Sequence, residues 1–165
     1  MIILGIDPGL AVTGFGIIRV GQAETVCLHY GSICSRAQVA LWERLKKIYD
    51  GVTELIRDFR PQQVAFEEVF YGHNVQSALK LGQARGAAVI AALNAGLTPA
   101  EYSPREVKQA LTGYGAASKE QVQRMVRQLL DLAEPASPMD ASDALAVALC
   151  HAQRSRSVQL IEKKL

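Results

Sequence analysis

Short apolar runs alternate with amphipathic stretches along this chain, and their order outlines an architecture. The first run, MIILGID, is rich in β-branched residues and stops at Asp-Pro-Gly, so it reads as a buried strand ending in a turn, with Asp7 at the strand end. A second strand is expected over about Thr13 to Val20 and a third over about Glu24 to Ile33, joined by a hairpin at Gly21-Gln22. From Val39 to Arg60 the apolar residues Leu41, Leu45, Ile48, Val52, Leu55 and Phe59 recur at alternating steps of four and three, which lines one face of a helix. Pro61 sets its end. Gln63 to Glu67 is another short apolar strand, again with acids at its end.

A long helix is expected from about Val75 to Asn94, with Gly82, Ala84, Gly86, Ala87 and Ala88 marking close packing and Gly96 closing it. After a last strand at Pro99 to Tyr102, capping chemistry marks three helix starts: Ser103-Pro104-Arg105-Glu106, Ser118 with Gln121, and Ser137-Pro138. The order βββαβαβααα predicts an α/β fold in which helices pack on a mixed sheet.

Composition narrows the class. At 165 residues with 49% hydrophobic and 21% charged positions, the chain has the make-up of one soluble globular domain. No apolar run is long enough to span a bilayer, and MIILGI lacks the basic flank of a signal peptide, so a cytoplasmic protein without a membrane partner is expected. Cys27, Cys34 and Cys150 show no metal-site or disulfide spacing and read as buried, reduced thiols. The net charge of +2 is small but unevenly spread. Arg105, Lys108, Lys119, Arg124 and Arg127 outweigh Glu106 and Glu120 between Pro104 and Arg127, and Arg154, Arg156, Lys163 and Lys164 outweigh Glu162 near the end. A solvated helix face explains either stretch; phosphate binding is the sharper alternative.

The acids carry the candidate chemistry. Asp140 and Asp143 are three apart near the start of an expected helix, so they point the same way. Acids there also complement the helix dipole, which is their ordinary explanation. Asp7 has one too, as the first residue of an Asp-Pro-Gly turn. Of Glu67 and Glu68, one faces solvent, and alternation alone leaves open which. Taken together, two strand ends and one helix start present carboxylates, a set of hard oxygen ligands suited to Mg²⁺ or Mn²⁺. Two such cations per site would activate water and stabilise the leaving oxygen of a phosphodiester.

The strings IDPGLAVTGFGII, FEEVFYGHNVQSALKLGQARG and DASDALAVALCHA resemble the RuvC family of Holliday-junction resolvases, over Met1 to about Arg154 and in the right order. The resemblance implies an RNase H-like fold: a mixed five-stranded sheet, three antiparallel strands first and then two parallel, flanked by helices. It implies a nuclease domain over 1–154, followed by a basic, flexible tail over 155–165. It implies that Asp7, Glu67, Asp140 and Asp143 are the catalytic, metal-holding residues, with Glu67 chosen over Glu68 by its place in the family's Glu-x-Val-Phe string. Asp140 is the ligand most open to substitution, since some relatives carry histidine there. Phe70 is implied as a base-stacking residue, and Lys108 and Lys119, expected near the starts of their helices, as contacts to the cleaved strand. His73 could touch phosphate or solvent, His29 falls on the third strand, and His151 falls in the last turn of the final helix. The implied enzyme is a homodimer that makes paired nicks of like polarity in four-way DNA junctions during homologous recombination and repair. Its long helix would supply the dimer interface, and a branch-migration helicase, RuvA-RuvB, would be its partner. Two rivals remain: an ATP-binding protein of the actin and sugar-kinase type, suggested by Asp7-x-Gly9 with Thr13 and Gly14, and a junction-binding protein without catalysis. No second Asp-x-Gly loop supports the first of them.

Overall fold

The computed structural model describes residues 1–68 and 74–162, with side chains as far as Ser155. The described elements are β1 (Ile2–Asp7), β2 (Val12–Val20), β3 (Thr25–Cys34), α1 (Leu41–Phe59), β4 (Gln63–Glu67), α2 (Val75–Asn94), β5 (Pro99–Tyr102), α3 (Pro104–Thr112), α4 (Lys119–Leu129) and α5 (Met139–Glu162). The strands form one sheet in the order β3-β2-β1-β4-β5. The pairs β1–β2 and β2–β3 are antiparallel, while β4 runs parallel to both β1 and β5. This is the mixed sheet that the sequence pattern implied. Helical crossovers α1 and α2 precede β4 and β5, as parallel pairing requires.

Each sheet face has its own core. Leu4, Ile6, Val64 and Phe66 pack with Ile48 and Val52 of α1 and with Ala84 and Ala88 of α2. On the other face Ile3, Ile18 and Ala65 pack with α3, α4 and α5. Alternation along β1 therefore turns Asp7, like Ile3 and Gly5, toward α5, and along β4 it turns Glu67 the same way as Ala65.

α5 lies unusually close to the sheet. A Cβ on Gly5 would stand 2.2 Å from the Ala144 carbonyl oxygen, and one on Gly14 would stand 2.0 Å from that of Asp140. With α3 and α4 on its outer side, α5 buries Ala141, Ser142 and every residue from Ala144 to Ala152. That accounts for the long unbroken apolar stretch of its sequence.

Most local signals hold. α1 ends through Arg60 at φ 47°, whose amide donates to the Ile56 carbonyl at 2.9 Å, and Pro61 follows. Ser103 and Ser118 both form full capping boxes. Others need correction. α5 begins at Met139, with Pro138 outside it, because the Pro138 carbonyl already accepts the Ala141 amide at 3.0 Å. Lys119 does open α4, but Lys108 lies in the second turn of α3. In α2, Ala84 and Ala88 pack closely, whereas a Cβ on Gly82 or Gly86 would meet nothing within 4 Å.

His151 is not in a last turn, since α5 continues to Glu162. It is buried, its Nδ1 2.7 Å from the Tyr102 hydroxyl and its Nε2 3.0 Å from Gln63 Oε1, and burial lowers its pKa. It ties α5 to β4 and β5 as a neutral ring. The cysteines are free, as expected, but Cys34 is exposed and Cys27 only half-buried, because β3 is an edge strand. His29 stands on β3 between the rings of Phe15 and Phe59. No helix among the described residues is long and apolar enough to cross a membrane.

Candidate active site

β1 and β4 run side by side in a register that pairs Gly5 with Ala65 and Ile6 with Phe66, so Asp7 and Glu67 come next, together at the strand ends. The two carboxyls perturb each other there: Glu67 raises the pKa of Asp7, and the contact with Asp7 works to lower that of Glu67. The turn after Asp7 is held by another residue: buried Thr13 donates from Oγ1 to the Gly9 carbonyl at 2.6 Å. Asp7 is thereby left available. Glu68, by contrast, is exposed, and its amide donates to the Tyr102 carbonyl at 2.8 Å.

The first turns of α5 complete the cluster. Gly14 faces Asp7 across the β1–β2 pair and lets the backbone at Asp140 come down onto the sheet. Asp143, one turn on, then enters a cleft of about 320 Å³ lined by Asp7, Glu67, Glu68, Lys108 and Lys119. Asp140 stays outside that lining, yet its charge raises the pKa of both Asp7 and Asp143.

Electrostatics at this point are unfavourable for ionised acids. Burial, then the charges of Glu67 and Asp143, push the Asp7 pKa from 3.8 up to about 8. Burial also raises Glu67 and Asp143. Lys119 offsets part of this, its Nζ 3.4 Å from Asp143 Oδ2, and that pairing raises its own pKa. Lys108 lowers Glu67 and Asp143 from farther away. A proton on Asp7 and a lysine on Asp143 thus stand where stronger positive charge would fit.

Among the described residues no three carboxylate, imidazole or thiol groups are already spaced to ligate one ion. The donor chemistry nevertheless fits a divalent cation: several hard oxygens, partly buried, converge without enough positive charge. Of the basic residues in this region, Lys108 and Lys119 reach the cleft; Arg124 is exposed on α4, and Arg105 lies across Gly115 beyond the cleft. Phe70 and His73 fall outside the described residues.

Residues 3–151 match the family model described as crossover junction endodeoxyribonuclease RuvC. The chain belongs to the RuvC family. A crossover junction endodeoxyribonuclease RuvC from Tolumonas auensis is 55% identical over 161 residues, covering 95% of this chain and 90% of that one. Thermus thermophilus RuvC superposes with a TM-score of 0.88 at 41% identity, covering 95% of this chain and 96% of its own. A second structure of T. thermophilus RuvC, in complex with Holliday junction substrate, gives the same TM-score at 39% identity and the same coverage. Membership in the RuvC family makes this chain a nuclease that hydrolyses phosphodiester bonds, and the family implies a divalent metal. The ATP-binding reading is not favoured.

Sequence reasoning missed the support beneath the acids. Gly5, Gly14 and Thr13 decide how close α5 and the turn come to Asp7. A signal was present: glycines on the same strand face as Asp7, or directly opposite it.

Proposed function

We infer that this chain is a Holliday junction resolvase, which cuts four-way DNA junctions by paired nicks in strands of like polarity during homologous recombination and repair. The observation that carries the reading is the convergence of Asp7, Glu67 and Asp143 with Lys108 and Lys119 in one cleft. Asp7, Glu67, Asp143 and, from the rim, Asp140 would hold two Mg²⁺ or Mn²⁺ ions. When bound, these ions activate water and stabilise the leaving oxygen.

The chain's own residues do the rest. Asp7 gives up its proton when positive charge enters the cleft, because that charge offsets the burial, and after it the repulsion from Glu67 and Asp143, that raise its pKa. Asp143 exchanges Lys119 for the incoming charge. Lys119, at the first position of α4, is then free to hold the phosphodiester together with Lys108. Phe70 would stack on a base opened at the crossover.

A substrate with two-fold symmetry calls for two active sites related by a two-fold axis. α2 offers the surface. Val75, Leu79, Ile90 and Leu93 are each more than half exposed and fall on one helical stripe with Gly82 and Gly86. The stripe is nearly symmetric about Ala84, so two antiparallel copies of α2 would set Gly82 of one against Gly86 of the other, with large apolar residues meeting at both ends. We assign the nuclease domain to 1–154, the basic tail to 155–165 and the site of action to the cytoplasm, with RuvA-RuvB as a helicase partner. α5 carries helical backbone on to Glu162 within that tail.

The test is cleavage of a labelled four-way junction in Mg²⁺ or Mn²⁺ by the parent chain, Asp7→Asn and Asp143→Asn. Both variants are expected to bind the junction and to cut it at least about a thousandfold more slowly, a loss of roughly 4 kcal/mol in transition-state stabilisation. Undiminished cutting by both would overturn the carboxylate site. Binding without cutting by the parent itself would favour a non-catalytic junction binder.

A further inference from the structure

A second cleft opens beside the catalytic one, between α3 and the turn that follows it. Its volume is about 570 Å³, in the range that accepts a group the size of a nucleotide. Pro104 and Lys108 line both clefts, so a strand lying over Lys108 passes from one into the other. Their charge differs in sign. Asp7, Glu67 and Asp143 line the catalytic cleft, whereas the second presents Arg105, Lys108 and Tyr114, and among the described residues no carboxylate lines it.

Tyr114 is 64% exposed, yet its backbone is held on both sides. Gly113 takes the left-handed conformation at φ 76° and donates its amide to the Gln109 carbonyl at 3.0 Å, while Gln109 Nε2 donates back to the Gly113 carbonyl at 2.6 Å. The Tyr114 amide donates to Thr112 Oγ1 at 3.1 Å, and its carbonyl accepts from buried Ala117, also at 3.1 Å. The next residue, Ser118, caps the helix that begins with Lys119. The Tyr114 backbone therefore has little freedom left to lose when something stacks on the ring. Arg105 is arranged beside it: a Cβ on Gly115 would stand 2.9 Å from Arg105 Cγ and 3.3 Å from Nε, so the side chain lies across bare backbone. Among the described residues it forms no salt bridge with a carboxylate.

We propose that this cleft is a second DNA subsite that takes the nucleotide next to the scissile one, with Arg105 on its phosphate, Tyr114 stacked on its base and Lys108 at the border of the two clefts. The proposal rests on the junction-cutting reading above. A nucleic-acid strand carries one negative charge per nucleotide, and a cleft of acids tolerates only the phosphate that its cations hold. The neighbouring phosphate needs cations from the protein itself, and those are what stand beyond Lys108. Stacking on Tyr114 requires a base free of its own stack, which a junction offers at its crossover and an intact duplex does not.

The experiment compares the full-length parent with Arg105→Ala, Tyr114→Ala, Tyr114→Phe and Gly115→Ala, measuring affinity for a four-way junction and for linear duplex across a salt series. Tyr114→Ala is expected to weaken junction binding roughly tenfold and duplex binding little, and Tyr114→Phe to stay near the parent. Arg105→Ala should weaken binding and reduce the slope of log affinity against log salt by about 0.9, the signature of one lost phosphate contact. Gly115→Ala should reproduce that effect by displacing Arg105, with the melting temperature of all four variants kept near the parent's. Unchanged affinity and slope in Arg105→Ala and Tyr114→Ala, with a parent that binds and cuts junctions, would overturn the subsite alone. A parent that binds no junction would overturn the reading beneath it, and the subsite with it.

Discussion

On one face of the sheet α5 rests on bare backbone, because Gly5 and Gly14 remove the side chains that would hold it off, and Asp143 arrives beside Asp7. On the other face α2 stands on the methyl groups of Ala84, Ala88, Ala91 and Ala92, and leaves Val75, Leu79, Ile90 and Leu93 in solvent. Both helices are rich in small residues, but these serve opposite ends. On α5 the small residues are buried all round and bring charged groups together. On α2 the glycines face outward and shape a surface. Small residues alone therefore do not reveal which side of a helix makes the close contact; that depends on what lies opposite.

The sharpest way to break this contrast is to add one methyl group to each face. Gly14→Ala would place a Cβ 2.0 Å from the Asp140 carbonyl oxygen, a backbone atom that cannot swing aside. The expected cost is about 3 kcal/mol or more of stability, with loss of cleavage because Asp140 and Asp143 are pushed from Asp7. Gly82→Ala, with nothing within 4 Å of the new Cβ, should leave a single protomer as stable as before or slightly more so. Chemical denaturation beside a cleavage assay measures both; equal effects from the two would end the contrast.

A second test addresses the charge held on the α5 face. A carboxyl whose pKa is raised by folding favours the folded state when protonated. Asp7 rises from 3.8 to about 8, so its contribution is fully present below 3.8 and is lost as pH climbs through about 8. Metal-free protein should accordingly melt several degrees lower at about pH 9 than at about pH 6. Added Mg²⁺ or Mn²⁺ should recover much of that loss, and Asp7→Asn should flatten the pH dependence. A melting temperature indifferent to pH in both proteins would mean that the acids are not in conflict.

The mildest expected effect on folding concerns α2. Leu79→Glu alters a side chain that is 64% exposed, so the melting temperature of an isolated protomer should shift by no more than roughly 0.5 kcal/mol allows. Sedimentation is nonetheless expected to show a dimer for the parent and a monomer for the variant. An unchanged dimer would move the interface elsewhere.

Much of this was legible from local patterns. Leu41 through Phe59 announced α1 by spacing, Ser103 and Ser118 announced α3 and α4 by capping, and the alternation of strands and helices announced a mixed sheet. His151 was misread because the end of α5 bears no stop signal, so its hydrogen bonds to Tyr102 and Gln63 depended on elements far apart in sequence. Glu67 and Glu68 were not separable by alternation alone, since either acid could follow a short buried run. Lys108 and Lys119 looked no different from Arg105 and Arg124 until α3 and α4 had been packed against α5.

By itself the sequence determined the elements, their order and the kind of chemistry available, because periodicity, capping and residue type act within a few positions of the chain. Tertiary structure alone decided which acids meet, which lysines face them and which glycines admit a helix. Those outcomes depend on strand register and on packing distances between segments far apart in the chain, where a single methyl group is enough to move the site.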